Sequence, residues 1–229
     1  MRALTIANAD DADTGFVGDR LRHHGYAFDE CQREHTDEWP QLDGHDLVLL
    51  LGSEWSVYWP DIARHVEAEV ALVRDAARRG IPVLGICFGH QMMAHALGGS
   101  VFRASRPEVG WVHVDTDQPD AVASGPWLEW HYDAVSLPPG AVELARNEVG
   151  PQAWRLGRML ATQFHPEATE SVVRRWSSGV GVDELARVGT SADELLAATR
   201  AVADVAELNA HKLVDWFCAT VRDTPFQAC

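Results

Sequence analysis

Apolar residues along the chain fall into short unbroken runs separated by amphipathic stretches. Ala3 to Ala7, Asp46 to Leu51 and Ile81 to Ile86 have strand length and almost no polar interruption, the pattern of strands covered on both faces. Between them, Thr14 to His24 reads as helix. From Asp61 to Arg79, Ile62, Val66, Val70, Val73 and Ala77 recur at helical spacing behind the start signals Pro60 and Asp61. Gln91 to Leu97 reads as a further helix. This alternation predicts an α/β fold with a doubly wound, mostly parallel central sheet, helices on both faces and a site at the carboxyl edge of the strands.

The pattern changes after Ser100. Trp111 to Val114, Val142 to Ala145, Ala153 to Leu156 and Met159 to Phe164 are short strand-like segments, expected as antiparallel additions to the sheet, with a hairpin turn at Leu156-Gly157-Arg158-Met159. From Thr169 onward the chain reads as helical, and Ser191-Ala192-Asp193-Glu194 is a capping box opening a helix that runs to about Val221. Its stripe of Leu195, Thr199, Val202, Val205 or Ala206, Leu213 and Trp216 or Phe217 is expected to pack on the rest. The expected organisation is an α/β domain over residues 1–170 and a helical C-terminal extension over 171–229 packed on it.

The candidate chemistry lies where the third apolar run stops. Gly85-Ile86-Cys87-Phe88-Gly89 places a cysteine at a strand-to-helix turn, the thiol counterpart of a nucleophile elbow. Glycines two residues either side suit close backbone approach around a strained residue. The following helix N-terminus favours thiolate over thiol. A free cysteine of pKa ~8.5 is only slightly ionised at neutral pH, so a base is needed. The best candidate is His165, leaving the end of an apolar run in Thr162-Gln163-Phe164-His165-Pro166-Glu167. Pro166 ends the strand, and Glu167 can hold the far ring nitrogen and stabilise the imidazolium. Cys87, His165 and Glu167 then form a triad.

With both motifs present, the sequence resembles class I glutamine amidotransferases of the triad type, which carry Gly-x-Cys-x-Gly-x-Gln and His-Pro-Glu. Leu49 to Tyr58 resembles the strand and glycine loop that form half of that family's oxyanion hole. Many relatives have Gly-Gly-Pro there; here it is Gly52-Ser53-Glu54, which leaves open whether the Gly52 or the Ser53 N–H would face an oxyanion. The resemblance implies that one of these and the Phe88 N–H stabilise the tetrahedral intermediate, and that Gln91 helps to hold the substrate's amino-acid head group. Glu129 to Gly140 is similar to the family's loop after a mid-chain strand, which adds His131 and Tyr132 as expected substrate contacts beside Ser53 of the glycine loop. Gly52 to Tyr58 and His131 to Gly140 are most similar to stand-alone relatives of the amidotransferase domain of GMP synthase.

Composition changes this picture little. The chain has 229 residues, 46% of them hydrophobic and 23% charged, enough for a substantial core. A net charge of -15 disfavours nucleic acid and anionic membrane surfaces as partners. No apolar run reaches the ~18–20 residues that span a bilayer, and no secretory leader pattern opens the chain, so a cytoplasmic location is expected. Cys31, Cys87, Cys218 and Cys229 show neither disulfide framework nor metal spacing, and the eleven histidines, including His23, His24, His90 and His95, do not repeat at ligand intervals. Neither metal nor cofactor is expected. Trp55, Trp59, Trp111 and Trp130 fall in or near the site loops, where core or lid roles are expected of most. The expected partner is glutamine or another γ-glutamyl small molecule. Lys212 is the chain's one lysine and no phosphate-cradling loop accompanies it, so any synthetase using released ammonia would be a separate chain. The expected function is hydrolysis of a γ-glutamyl amide through a thioester. The alternatives are an ammonia-donating glutaminase subunit and a catalytically silent regulatory subunit of the same fold.

Overall fold

The computed structural model describes residues 1–223. Nine strands and six α-helices follow one another there as β1 (Arg2–Ala7), α1 (Gly15–His23), β2 (Ala27–Gln32), β3 (Leu47–Leu50), α2 (Ala63–Arg79), β4 (Val83–Ile86), α3 (Phe88–Ala96), β5 (Ser100–Val112), β6 (Trp127–Ser136), β7 (Val142–Arg146), β8 (Pro151–Leu156), β9 (Met159–Thr162), α4 (Glu170–Trp176), α5 (Val180–Arg187) and α6 (Ala192–Asp223). Seven strands form a sheet in the order β2-β1-β3-β4-β9-β8-β7. Neighbours from β2 to β9 run parallel, and the β8 and β7 pairings are antiparallel, as the alternation and the hairpin predict.

Period-two alternation sorts each central strand between two apolar layers. Ala3, Leu47, Leu49, Leu84 and Ile86 pack with Val17 and Leu21 of α1 and with Leu213, Val214 and Phe217 of α6. Leu4, Ile6, Val48, Leu50 and Val83 face the other way, onto Val73 and Ala76 of α2 and Met93 and Ala94 of α3. A sheet covered on both sides needs apolar residues at every position, which is why these strands read as unbroken runs.

Three departures from expectation have physical reasons. β2 reads as Ala-Phe-Asp-Glu-Cys-Gln; as an edge strand with most positions partly exposed, it carries no apolar run. Trp111 to Val114 is not an addition to the central sheet. Trp111 and Val112 end the thirteen-residue β5, which pairs with β6 as a separate antiparallel ribbon. Arg103 to Glu108 shifts the register of that ribbon, and its polar residues mask the strand pattern. Glu129 to Gly140, expected as a loop, is strand as far as Ser136.

The C-terminal helices pack on the α/β layers. Leu195 and Leu196 join Leu128, Ala168, Val173 and Leu185 in one apolar cluster. Ser191 Oγ accepts the Glu194 N–H at 3.3 Å, the first half of the expected capping box, while the Glu194 carboxylate accepts from the Ser191 hydroxyl at 2.9 Å. Of the expected stripe, Ala206 is buried while Val205 is 39% exposed, and Phe217 lies deeper than Trp216. Cys229 lies outside the described residues, and no disulfide joins Cys31, Cys87 and Cys218 to one another. Among the described residues no helix is long and apolar enough to cross a membrane.

Polar contacts fix α6 against α1. Asp215 accepts two hydrogen bonds from Arg20, both at 2.7 Å, and lies 2.7 Å from His24 Nε2. The Arg20 hydrogen bonds, aided by His24 and opposed by partial burial, hold the Asp215 carboxyl down at about 2. A depressed carboxyl stabilises the fold above its unfolded pKa of ~3.9, and that contribution is lost as pH falls toward the folded value. Asp215 is 40% exposed, so solvent screening limits the effect to about 1 kcal/mol or less. Asp215→Asn should therefore lower stability at pH 7, with the gap shrinking below about pH 4 and closing only as pH falls through about 2; urea unfolding across that range checks this, and a pH-independent gap would contradict it.

Candidate active site

The carboxyl ends of β3, β4 and β9 converge on Cys87. Its backbone, at φ 52° and ψ -105°, makes it the one non-glycine residue with positive φ among the described residues. Such a conformation costs about 1–3 kcal/mol and persists only where its surroundings over-determine it. They do so here. The Cys87 N–H donates to the Thr162 carbonyl at 2.8 Å, and the Cys87 carbonyl accepts from the Gln91 N–H at 3.1 Å. A Cβ on Gly89 would overlap the Leu50 carbonyl, and one on Gly85 would overlap Met93 Sδ. The two motif glycines thus allow α3 to start flush against β3 and β4, with Cys87 on the corner.

His165 follows β9 after Gln163 and Phe164. Its N–H donates to the Leu128 carbonyl of β6 at 2.8 Å, and the Phe164 ring stacks on Trp127 at 4.4 Å. Nδ1 of His165 lies 2.7 Å from Glu167 Oε1, which fixes Nδ1 as the proton carrier and leaves Nε2, buried and without a hydrogen-bond partner, as the available nitrogen. Burial opposes the imidazolium, but the Glu167 carboxylate and the charge of Cys87 outweigh it and raise the His165 pKa well above the ordinary range. The Trp176 ring stands edge-on to the imidazole at 4.6 Å. A Cβ built on Gly52 would lie 3.2 Å from His165 Cε1 and 3.6 Å from Cys87 Cβ, so the loop after β3 touches both side chains.

The structure brings together Cys87, His165, Glu167 and Gly52, with Gln91, Ser53, His131 and Tyr132 around the same cleft of about 410 Å³. Phe88 opens α3; its ring is buried against Trp55 and Val57, so its backbone is what it offers. Gln91 is held by Gln163 at 3.3 Å. The Ser53 hydroxyl accepts the Trp55 N–H at 3.1 Å. Tyr132 lies under the Arg103 guanidinium, 4.7 Å from its ring centre. His131 turns its ring into the protein: Nδ1 lies 2.8 Å from the Asp133 carbonyl, and Nε2 lies 3.2 Å from Glu108 and 3.3 Å from Glu129. Burial disfavours its charge, but the two carboxylates raise it to about 10, making it an internal imidazolium. Glu108, Glu129 and His131 are also the one group of described residues whose ligand-type atoms lie within 4.8 Å of one another.

Of the four tryptophans picked out in the sequence, Trp55, Trp59 and Trp130 line the cleft. Trp111 instead donates to Thr199 on α6 at 3.0 Å. Trp176 was not anticipated; it lies at the end of α4, where a helical pattern gives no cue to a tertiary contact. A second omission is the fully buried pair Arg33–Glu69 beneath the Gly52 loop. Glu69 falls on the apolar stripe of α2 between Val66 and Val73, a charged residue on a core face, and that was the available signal.

The sequence model of a family described as glutamine amidotransferase class-I matches residues 19–175. The glutamine-hydrolysing GMP synthase of Aeropyrum pernix is 36% identical over 165 residues, 65% of this chain and 30% of that protein. The Bdellovibrio bacteriovorus GMP synthase is 30% identical over 175 residues, 75% of this chain and 33% of that protein. The chain thus spans about a third of the length of these relatives. Among solved structures, a glutamine amidotransferase from Thermotoga maritima matches with a TM-score of 0.84 at 26% identity, over 95% of this chain and 97% of that one. Another, from Methylobacillus flagellatus, matches with a TM-score of 0.80 at 25% identity, over 99% and 96%. The chain belongs to the class-I glutamine amidotransferase family.

Proposed function

We propose that the protein hydrolyses a γ-glutamyl amide, with Cys87 as nucleophile, His165 as general base and then acid, and Glu167 as the group that orients and charges the imidazole. The observation that carries this reading is the strained Cys87 corner lying beside a His165–Glu167 pair whose outer ring nitrogen has no other partner. His165 Nε2 takes the thiol proton as Cys87 Sγ bonds to the γ-carbonyl carbon. The carbonyl oxygen becomes an oxyanion facing N–H groups of the Gly52 loop and Phe88. Collapse breaks the C–N bond, and His165 returns the proton to the leaving nitrogen, giving ammonia or an amine and a γ-glutamyl thioester. Water, deprotonated by His165, then attacks the thioester and releases glutamate and the free thiol.

The nitrogen's destination has two readings. Family membership and similarity to one third of GMP synthases support an ammonia donor working with a separate synthetase. A cleft of about 410 Å³ walled by Trp55, Trp59, Trp130 and Trp176 supports a larger γ-glutamyl conjugate with water as acceptor. Incubation with glutamine and with γ-glutamyl peptides, followed by mass spectrometry of products and intact protein, separates them. Peptide turnover without glutamine turnover favours the conjugate hydrolase, and glutamine turnover stimulated by a co-purifying protein favours the donor.

Cys87→Ala should abolish glutamate release and the covalent γ-glutamyl adduct while leaving the circular dichroism spectrum unchanged; turnover persisting near the wild-type rate sinks the assignment. Glu167→Gln should slow turnover by about 10²–10⁴-fold, less than loss of Cys87, because it supports the imidazole without reacting. Exposed Glu38→Gln should change nothing, and an equal loss there would show that the assay reports instability.

A further inference from the structure

Arg33 is completely buried, although an unpaired charge in a protein interior is prohibitively unfavourable. It follows β2 directly, where its N–H continues the parallel pairing by donating to the Ala7 carbonyl at 2.7 Å. The side chain then runs beneath the carboxyl ends of β1 and β3. Nε donates to Glu69 Oε2 at 2.9 Å, Nη1 to Asn8 and to the Gly52 carbonyl at 3.0 Å, and Nη2 to the Leu51 carbonyl at 2.9 Å. The guanidinium carbon lies over the Phe88 ring, 4.8 Å from its centre. One cation therefore touches both segments flanking Cys87, the loop after β3 and the first residue of α3.

The consequence follows from peptide geometry. The Leu51–Gly52 and Gly52–Ser53 bonds are trans, since the described cis bond is Gly125–Pro126. In a trans peptide the N–H points opposite to the C=O. Two successive carbonyls, of Leu51 and Gly52, are drawn to one guanidinium below the loop, so the N–H groups of Gly52 and Ser53 are both turned away from it. Gly52 and Ser53 line the cleft on that opposite side, together with Cys87. Without a cation beneath them, two carbonyls pointing the same way would repel each other and leave buried acceptors unpaired.

We propose that Arg33, neutralised by Glu69, is the positioning residue of the oxyanion hole: it aims the Gly52 and Ser53 N–H groups at the oxygen of the carbonyl attacked by Cys87 and buttresses Phe88 from behind. This rests on the reading of Cys87 as the nucleophile. It also answers which N–H the Gly-Ser-Glu loop presents, because both are turned the same way. Glu69 has the complementary task of making the buried guanidinium tolerable from α2.

The test separates the oxyanion hole from the nucleophile. Alkylation of Cys87 by iodoacetamide displaces iodide and forms no oxyanion, so it reports the thiol and its base alone. Arg33→Lys keeps a cation opposite Glu69, but a single ammonium lacks the planar fork that reaches Leu51 and Gly52 together. It should lower kcat for glutamine or γ-glutamyl-p-nitroanilide by about 10²–10³-fold, the loss typical of one oxyanion donor, with KM and the alkylation rate each within about threefold of wild type. Arg33→Met combined with Glu69→Leu leaves no unpaired buried charge and should give the same split; it serves the same readouts if the lysine variant fails to fold. Wild-type kcat in a folded variant overturns the proposal, as does an alkylation rate that falls in step with turnover. A wild-type protein that neither turns over these probes nor alkylates at Cys87 would instead overturn the catalytic reading itself.

Discussion

The positive-φ backbone of Cys87 is the constraint on which the surrounding structure is organised. An isolated L-residue at φ 52° would relax to the other side of the map. Three things prevent that. Thr162 of β9 accepts the Cys87 N–H, the first turn of α3 takes its carbonyl, and the Gly89 backbone lies against the Leu50 carbonyl with no room for a Cβ. β9 must therefore lie next to β4, and α3 must start directly over β3. The sheet order β3-β4-β9 is the same fact stated at the level of topology. Parallel β4 and β9 end at the same level, so the chain leaving β9 brings His165 to the corner where β4 leaves Cys87.

The C-terminal helices belong to this arrangement as well as to the core. Asp11, in the loop after β1, accepts from Arg175 at 2.7 Å and from the Trp176 indole at 2.9 Å, which places the Trp176 ring against His165. Glu184 of α5 accepts the Trp130 indole N–H at 2.8 Å. The wall of the cleft is thus tied to the strand ends on one side and to α4 and α5 on the other. Covering an imidazole with an aromatic edge excludes water from one side, and burial strengthens its pairing with Glu167. The charge-paired rim also explains how Trp130 and Trp176 can line an open cleft: the N–H of each finds a carboxylate, whereas Trp59 stays 43% exposed.

Legibility in the sequence followed the range of the interaction. The elbow and His-Pro-Glu were readable because Gly85, Cys87 and Gly89, and His165 and Glu167, act within a few residues of one another. The central strands were readable because two-sided burial demands apolar residues throughout. β2 and the β5–β6 ribbon were not, since partly exposed strands keep polar residues and the Arg103–Glu108 irregularity breaks their alternation. Glu129 to Ser136 is strand, and that conformation sets which side chains meet. In a strand, Glu129 and His131 share a face, and Glu108 is the register partner of His131, so the buried triad becomes visible only once the segment is extended. Arg33 and Glu69, 36 residues apart, needed the sheet order as well, because nothing local tells an edge-strand arginine that a helix glutamate will meet it.

Three buried histidines near the site show how position assigns their chemistry. His90 follows Cys87 by three residues, yet it turns beneath α3 toward Gln163 and Trp154; burial, reinforced by the His131 charge, holds it down to about 3 and therefore neutral. His131 is the opposite case, with both ring nitrogens facing acceptors and two carboxylates keeping it charged. With both nitrogens engaged, His131 has no open ring position for a reacting group. His165 is likewise raised well above the ordinary range, but its two ring nitrogens are not both engaged. A single carboxylate supports one nitrogen, the other has no partner, and the nearest charge that can respond to it is the thiol of Cys87. The distinction rests on the fixed anions around each ring and on where the open nitrogen lies: His90 has no anion beside it and is held neutral, His131 has two carboxylates and both nitrogens engaged, and His165 has one carboxylate on Nδ1 and an open Nε2 in the cleft that Cys87 also lines.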